Sequence, residues 1–177
     1  MSDPLVPRIY VASLSDYNNG RLYGAWIYAN QDANALRADV ERMLRGSIEP
    51  GAEEWAIHDY EGFGPLALGE YDNLDHVAAI GRGIAEHGVA FAYWADHLGR
   101  ADWAGDLDKF EDCFMGHYET LEDWAADFVD ASGIDPEQYR DEPLGAYWHF
   151  DLAGLAQDLQ SDFAVYRDAS GVYLFEP

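Results

Sequence analysis

The sequence predicts an α+β protein of three small modules, with antiparallel sheets and helices at both ends and a helical module in the middle. Three observations predict it. Residues 1–61 alternate β-rich runs with one stretch of helical periodicity, residues 62–101 keep only the helical periodicity, and residues 102–177 return to β-rich runs around helical segments. A chain of 177 residues can bury a core of its own and is too short for a large multidomain enzyme.

In the first module PRIYVASL reads as a strand, SDYNNG as a turn and RLYGAWIYA as a second strand, so the two strands are expected to pair as a hairpin-like unit. Asp32 is placed to cap a helix whose apolar residues Leu36, Val40, Met43 and Leu44 recur at helical spacing, and Gly46 suits its end. EEWAIHDYE then gives a third strand and completes a ββαβ unit. The Gly- and Pro-containing connection GFGPLALGEYDN is the expected module boundary.

Beyond it Leu74, Val77, Ala78, Gly81, Ile84 and Ala85 repeat with helical spacing up to Gly88, and VAFAYWADHLGR supplies a second, aromatic helix. The third module opens on DWAGDLDKFEDCFMGHYE, expected to be part strand and part loop. Thr120 offers an N-cap with Asp123 three residues on, for a helix running to about Ser132 and Gly133. A helix around AGLAQDLQ follows, and FAVYRDASGVYLFE reads as a closing hairpin that turns at DASG.

Charge is the outstanding feature of the composition: 34 acids against 10 bases, a formal net charge of −24. Apolar residues at 49% and aromatics at 15% mark a folded protein rather than a solvated tail. Residues 101–177 hold 19 of the acids and 3 of the bases, so the field belongs mostly to the C-terminal part. Solubility of a small domain needs a net charge of only about 2 to 8 in magnitude, and self-repulsion beyond that destabilises the compact state. With no basic patch, direct nucleic-acid binding is not expected. Neither is a membrane span, since no run approaches ~18 apolar residues. The start has no signal-type pattern, and a cytoplasmic protein is expected; the single Cys113 fits a reducing compartment.

The chemical motifs are weak. His58 and Asp59 lie in a strand, where neighbours point to opposite faces. Cys113 and His117 are four apart, but Gly116 interrupts them and no second ligand pair follows. His149 and Asp151 have no GxSxG elbow to serve. GFGPLALG lacks both the GxGxxG spacing and the Lys-Ser/Thr ending of a P-loop, and DLDKFEDCF departs from a calcium loop after three residues. No catalytic residue, cofactor site or metal site is expected, and the chain is read as a non-enzyme.

The stretch FEDCFMGHYETLEDWAADFVD carries seven carboxylates and no Lys or Arg. On a helical wheel Glu119, Glu122, Asp123, Asp127 and Asp130 occupy one arc of about 140°, while Leu121, Trp124, Ala125, Phe128 and Val129 fall on the other side. Their density, roughly one charge per 3.3 Å, approaches the ~3.4 Å phosphate spacing of one DNA strand. Asp102, Asp106, Asp108, Glu111 and Asp112 before the helix, and Asp135, Glu137, Asp141 and Glu142 after it, extend the anionic region. Its natural target is a basic groove built for phosphate. From this set, the expected phosphate-mimic carboxylates are Asp106, Asp108, Glu111, Asp112, Glu119, Glu122, Asp123, Asp127, Asp130, Asp135 and Glu137. A homodimer is expected as well, through Tyr147, Trp148, Phe150, Tyr173 and Phe175, which offer more aromatic surface than the last module can easily bury alone.

IYVASLSDYNNGRLYGAWI, EEWAIHDYEGF, FMGHYETLEDWA, HFDLAGLAQDL and GVYLFE, in that order and spacing, resemble the ArdA antirestriction proteins over most of the chain. The resemblance implies an elongated, dimeric α+β protein that mimics bent B-form DNA. It also implies a partner, a type I restriction-modification enzyme engaged at its methyltransferase core or specificity subunit. Ala153 and Gln157 depart from the acid and the Arg such proteins tend to carry there. Two other readings of the acidity stand beside this one. The chain could be an enzyme or binding module adapted to high salt, which one Lys against nine Arg partly fits, or an acidic adaptor for another basic protein.

Overall fold

The structure, a computed structural model, describes residues 6–135, 137, 138, 140–143, 145 and 149–177. The fold is α+β, with two three-stranded antiparallel sheets. The chain divides into two compact units, residues 1–110 and 111–177.

In the first unit β1 (Arg8–Ser13) is the middle strand, with β2 (Gly24–Tyr28) on one side and β3 (Trp55–Glu61) on the other. Both pairings are antiparallel; Ile9 opposes Ile27 and Tyr60, and the register to β3 shifts between Tyr10 and Val11. The segment read as a turn after β1 is a one-turn helix, α1 (Leu14–Asn18), started by the Ser13 side chain. Its Asp16 is fully buried and is held by Arg21 and by the Ser47 hydroxyl, which donates to it at 2.5 Å. A buried carboxylate needs such partners, because desolvation otherwise disfavours its charge.

Helix α2 (Ala33–Arg45) begins where the Asp32 carboxylate accepts the Asn34 and Ala35 N–H groups, a cap worth about 1 kcal/mol. It packs on β1 and β2 and buries Leu36, Val40 and Met43 beside Ile9, Val11 and Ile27 of the sheet core. The connection over 62–73 lies inside the first unit rather than between units: Phe63 and Leu66 are buried, and Ile57 donates its N–H to the Glu70 carbonyl. Gly and Pro mark an irregular path, not a break in the core.

Helices α3 (Leu74–His87) and α4 (Val89–Leu98) follow as expected and pack on each other. Gly81 lets α3 reach the end of β2, since a Cβ there would lie 2.4 Å from the Ala29 carbonyl oxygen. Of the residues expected on the inner face of α3, Ala85 is exposed. The stretch expected as strand and loop is instead helical as far as Cys113, in α5 (Trp103–Asp106), a 3-10 turn (Leu107–Lys109) and α6 (Phe110–Cys113). Trp103, Leu107 and Phe110, at helical spacing, are all buried and hold it there.

The second unit has the strand order β4 (Phe114–Tyr118), β6 (Gly171–Phe175), β5 (Ala164–Asp168), with β6 in the middle. The closing hairpin pairs Val165 with Leu174 and Asp168 with Gly171. Helices α7 (Leu121–Ala131) and α8 (Leu152–Leu159) pack on each other, and α7 packs on β4. Trp124, Val172 and Leu174 form the core cluster, ringed by Met115, Tyr118, Leu121, Leu159, Phe163 and Val165.

Candidate partner-binding surface

The acidic stretch is fixed by a start signal and an apolar stripe. Thr120 and Asp123 form a reciprocal capping box: the Thr120 hydroxyl oxygen accepts the Asp123 N–H at 3.1 Å, and the Asp123 carboxylate accepts the Thr120 N–H at 3.0 Å. Trp124, Ala125 and Val129 turn inward and are buried. Glu119, just before the helix, and Glu122, Asp123, Asp127 and Asp130 are all exposed. Glu119, Glu122, Asp127 and Asp130 form no ion pair among the described residues. Phe128, read from the wheel as core, is 40% exposed, because the buried stripe is narrower than the apolar half of the wheel.

Asp123 therefore has a structural task that the charge pattern did not reveal, although its spacing from Thr120 did. The Asp127 charge is felt locally. Burial first, and Asp127 second, push the Tyr118 hydroxyl above its ordinary range.

The flanking acids divide. Asp108, Glu111, Asp112 and Asp135 are exposed. Asp106 is half-buried and paired with Lys109 at 2.6 Å, and Glu137 is paired with Arg140 at 2.6 Å. These two are partly neutralised within the chain, and their i,i+3 spacing to a base was the readable sign. Asp106 and Asp108 belong to the first unit, the remaining acids to the second.

Of the aromatics expected at a dimer interface, Tyr147 and Trp148 lie outside the described residues, and Phe150 is half-buried. Tyr173 and Phe175 are core residues, 6% and 0% exposed, so they do not supply the free aromatic surface expected of them. The physical reason is that rings from the strands on either side of β6 pack over them. Phe175 meets Phe114 and Tyr166 at ring distances of 5.3 and 6.0 Å, and Tyr173 stacks on His117 at 4.3 Å.

His117, Ser170 and Asp168 meet beside a cavity of about 500 Å³ lined by Glu119, Arg167 and the turn between β5 and β6. They do not build a nucleophile. The Ser170 hydroxyl lies 2.6 Å from the Asp168 carboxylate, and the His117 Nε2 lies 3.1 Å from the Ser170 carbonyl oxygen and 3.3 Å from the Ser170 hydroxyl. In a Ser-His-Asp triad the carboxylate holds the imidazole, whereas here Asp168 holds the hydroxyl. His58 packs edge-on against Tyr17, and His149 is exposed. Among the described residues no three His, Cys, Asp or Glu side chains are grouped to hold a metal ion, and no helix is long and apolar enough to cross a membrane.

Fold and surface together define an acidic α+β protein that holds a row of unpaired carboxylates out to solvent. The chain belongs to the ArdA family: the model of that family, described as antirestriction protein (ArdA), matches residues 9–173. ArdA is a family of non-enzymatic antirestriction proteins, and antirestriction is the function that membership implies. No curated protein matches the chain.

Proposed function

We propose that this protein inhibits a type I restriction-modification enzyme by occupying its DNA-binding groove, with exposed carboxylates standing where DNA phosphates would lie. It acts by binding alone, without catalysis, cofactor or metal, and as a homodimer. The observation that carries this reading is the face of α7, where Glu122, Asp127 and Asp130, with Glu119 beside them, project into solvent without cationic partners while Trp124, Ala125 and Val129 anchor the opposite side. Groups that fold the protein have no need of that charge, whereas a Lys- and Arg-lined groove does.

The other exposed acids, Asp108, Glu111, Asp112 and Asp135, belong to the same proposal; Asp106 and Glu137 contribute less because each is already paired. Asp123 contributes charge and holds the helix start at once. Light scattering that finds a monomer at micromolar concentration removes the dimer from the proposal.

The test is affinity for a type I methyltransferase core at two salt concentrations. In one variant Glu119, Glu122, Asp127 and Asp130 become Gln or Asn, with Asp123 kept; in a control Glu54, Glu70, Glu86 and Asp96 of the first unit are neutralised. Exposed ion pairs are worth about 0 to 1 kcal/mol each, so the α7 variant should lose about tenfold in affinity and show a shallower salt dependence, against less than about threefold for the control. Equal losses would mean that only total charge matters, and no loss in either variant would overturn the proposal.

A further inference from the structure

The first unit carries a groove that the acidic surface does not use. Between α2, the start of β3 and the turn before α3 lies a cavity of about 450 Å³, within the ~300 to 1,000 Å³ of typical ligand sites. Its floor is apolar, with Val40 and Leu74 buried and Leu44 and Trp55 half-buried. Tyr71 lines it while leaving 72% of its surface in water, an unusual waste for a large ring.

Four charged residues line the same groove: Arg37, Glu41, Glu53 and Asp72. Arg37 is committed to Asp75 and Asn34, Asp72 to Arg100, and Glu41 reaches Arg45 at 3.5 Å. Glu53 is exposed and forms no ion pair among the described residues, and Glu54 beside it is exposed as well. Apolar floor, two aromatic rings and one uncommitted carboxylate line the same groove.

We infer that the groove receives an arginine side chain from a basic protein segment. The aliphatic stem lies on Val40, Leu44 and Leu74, the guanidinium plane stacks on Tyr71 or Trp55, and Glu53 answers the charge. Lysine fits less well, because its ammonium is a strongly hydrated point charge with no face to stack. A neutral apolar ligand would leave Glu53 unanswered. The inference rests on the proposed function only for the identity of the partner, the restriction-modification enzyme; the receptor itself stands on the groove.

The probe is acetyl-Ser-Arg-Ser-amide, with citrulline and Lys counterparts, titrated into the full chain and followed by amide and indole NMR signals, the Trp55 indole assigned through Trp55→Phe. Saturable shifts are expected at Trp55, Tyr71 and Glu53, with binding in the millimolar range. The citrulline peptide should bind at least about fivefold more weakly, as should the Arg peptide to Tyr71→Ala and Glu53→Gln, whereas Tyr71→Phe, which keeps the ring, should bind as the parent does. Non-saturating shifts concentrated on residues 119–130, or equal binding of Arg and citrulline peptides, would overturn the inference.

A second arm measures the methyltransferase core: Tyr71→Ala should lose about fivefold in affinity with the α7 carboxylates intact. A core that ignores the parent protein counts against the proposed function, and the peptide titration then decides the groove alone. A core that binds Tyr71→Ala as tightly as the parent excludes the groove from the enzyme contact.

Discussion

The two units are both acidic, yet they treat their acids differently. Residues 1–110 hold 18 acids and 8 bases, and residues 111–177 hold 16 acids and 2 bases. In the first unit cations are distributed over carboxylates: Arg8 to Glu61, Arg21 to Asp16, Arg37 to Asp75, Arg42 to Asp39, Arg45 to Glu41, Arg100 to Asp72 and Lys109 to Asp106. In the second unit Arg140 meets Glu137, while Arg167 donates to Gln160. Glu122, Asp127 and Asp130 of α7 are left to solvent. Among the described residues seven acids of the first unit thus meet a Lys or Arg, against one of the second.

The largest expected break in this contrast comes from Arg21→Met. It leaves the fully buried Asp16 without its cation, and removing one partner of a buried pair costs about 3 to 5 kcal/mol. Arg21 is itself about a third exposed, so the lower end applies. Denaturant unfolding followed by residue-specific NMR should show the loss in signals of the first unit. A loss below about 1 kcal/mol would mean that Asp16 is not held by charge.

Asp123→Ala is next. Removing its carboxylate breaks one half of the capping box and should cost about 1 kcal/mol, whereas Glu122→Gln, one residue away and also exposed, should change stability by less than about 0.5 kcal/mol. Equal effects would show that α7 is governed by total charge rather than by its start signal.

Salt should sharpen the comparison further. The second unit, with two cations against sixteen acids, should gain stability as ionic strength rises from about 0.01 to 0.15 M, because screening relieves repulsion. The first unit should respond less, since its ion pairs weaken under the same screening. Both units should still be folded at the low end; loss of structure there would favour adaptation to high salt over a carboxylate face held ready for a partner.

The smallest effects concern pH, and they lie at opposite ends of the scale. The Gln31 amide above all, together with Arg42 and against some burial, holds Asp39 below the ordinary carboxylate value. A depressed carboxylate stabilises the fold above its unfolded value, about 3.9, and that contribution is lost as pH falls through the lower folded value. Burial chiefly, with Asp127 for Tyr118 and Asp168 for Tyr173, raises the two tyrosines of the second unit. A raised tyrosine stabilises the fold below its unfolded value, about 10, and the contribution fades as pH rises beyond it. Gln31→Leu should thus reduce the acid sensitivity of the first unit, and Tyr118→Phe the alkaline sensitivity of the second, both read from unfolding midpoints across pH.

Much of the architecture was legible in order. Asp32 and Thr120 announced two helix starts by side-chain chemistry alone, and the 3.6-residue recurrence of Leu36, Val40 and Met43 marked a buried face that no neighbour needed to specify. The acidic arc of α7 was legible for the same reason: position on a helix follows from spacing, and exposure from the apolar residues opposite. Local signals misled where acids outnumbered the anchors, as over 103–113, where Trp103, Leu107 and Phe110 hold a helix that the surrounding carboxylates obscured.

What the tertiary structure alone decided is which charges are free and which aromatics are covered. Tyr173 and Phe175 lie on the opposite face from Val172 and Leu174, yet all four are buried, because Trp124 of α7 covers one face and rings of β4 and β5 cover the other. Asp16 lies in a polar stretch of the sequence and is wholly buried, because Arg21 and Ser47 close on it. Glu53 and Glu61 are alike in the sequence, but Arg8 meets only Glu61. Periodicity fixes the face on which a side chain lies; only the fold brings in the distant group that covers or neutralises it.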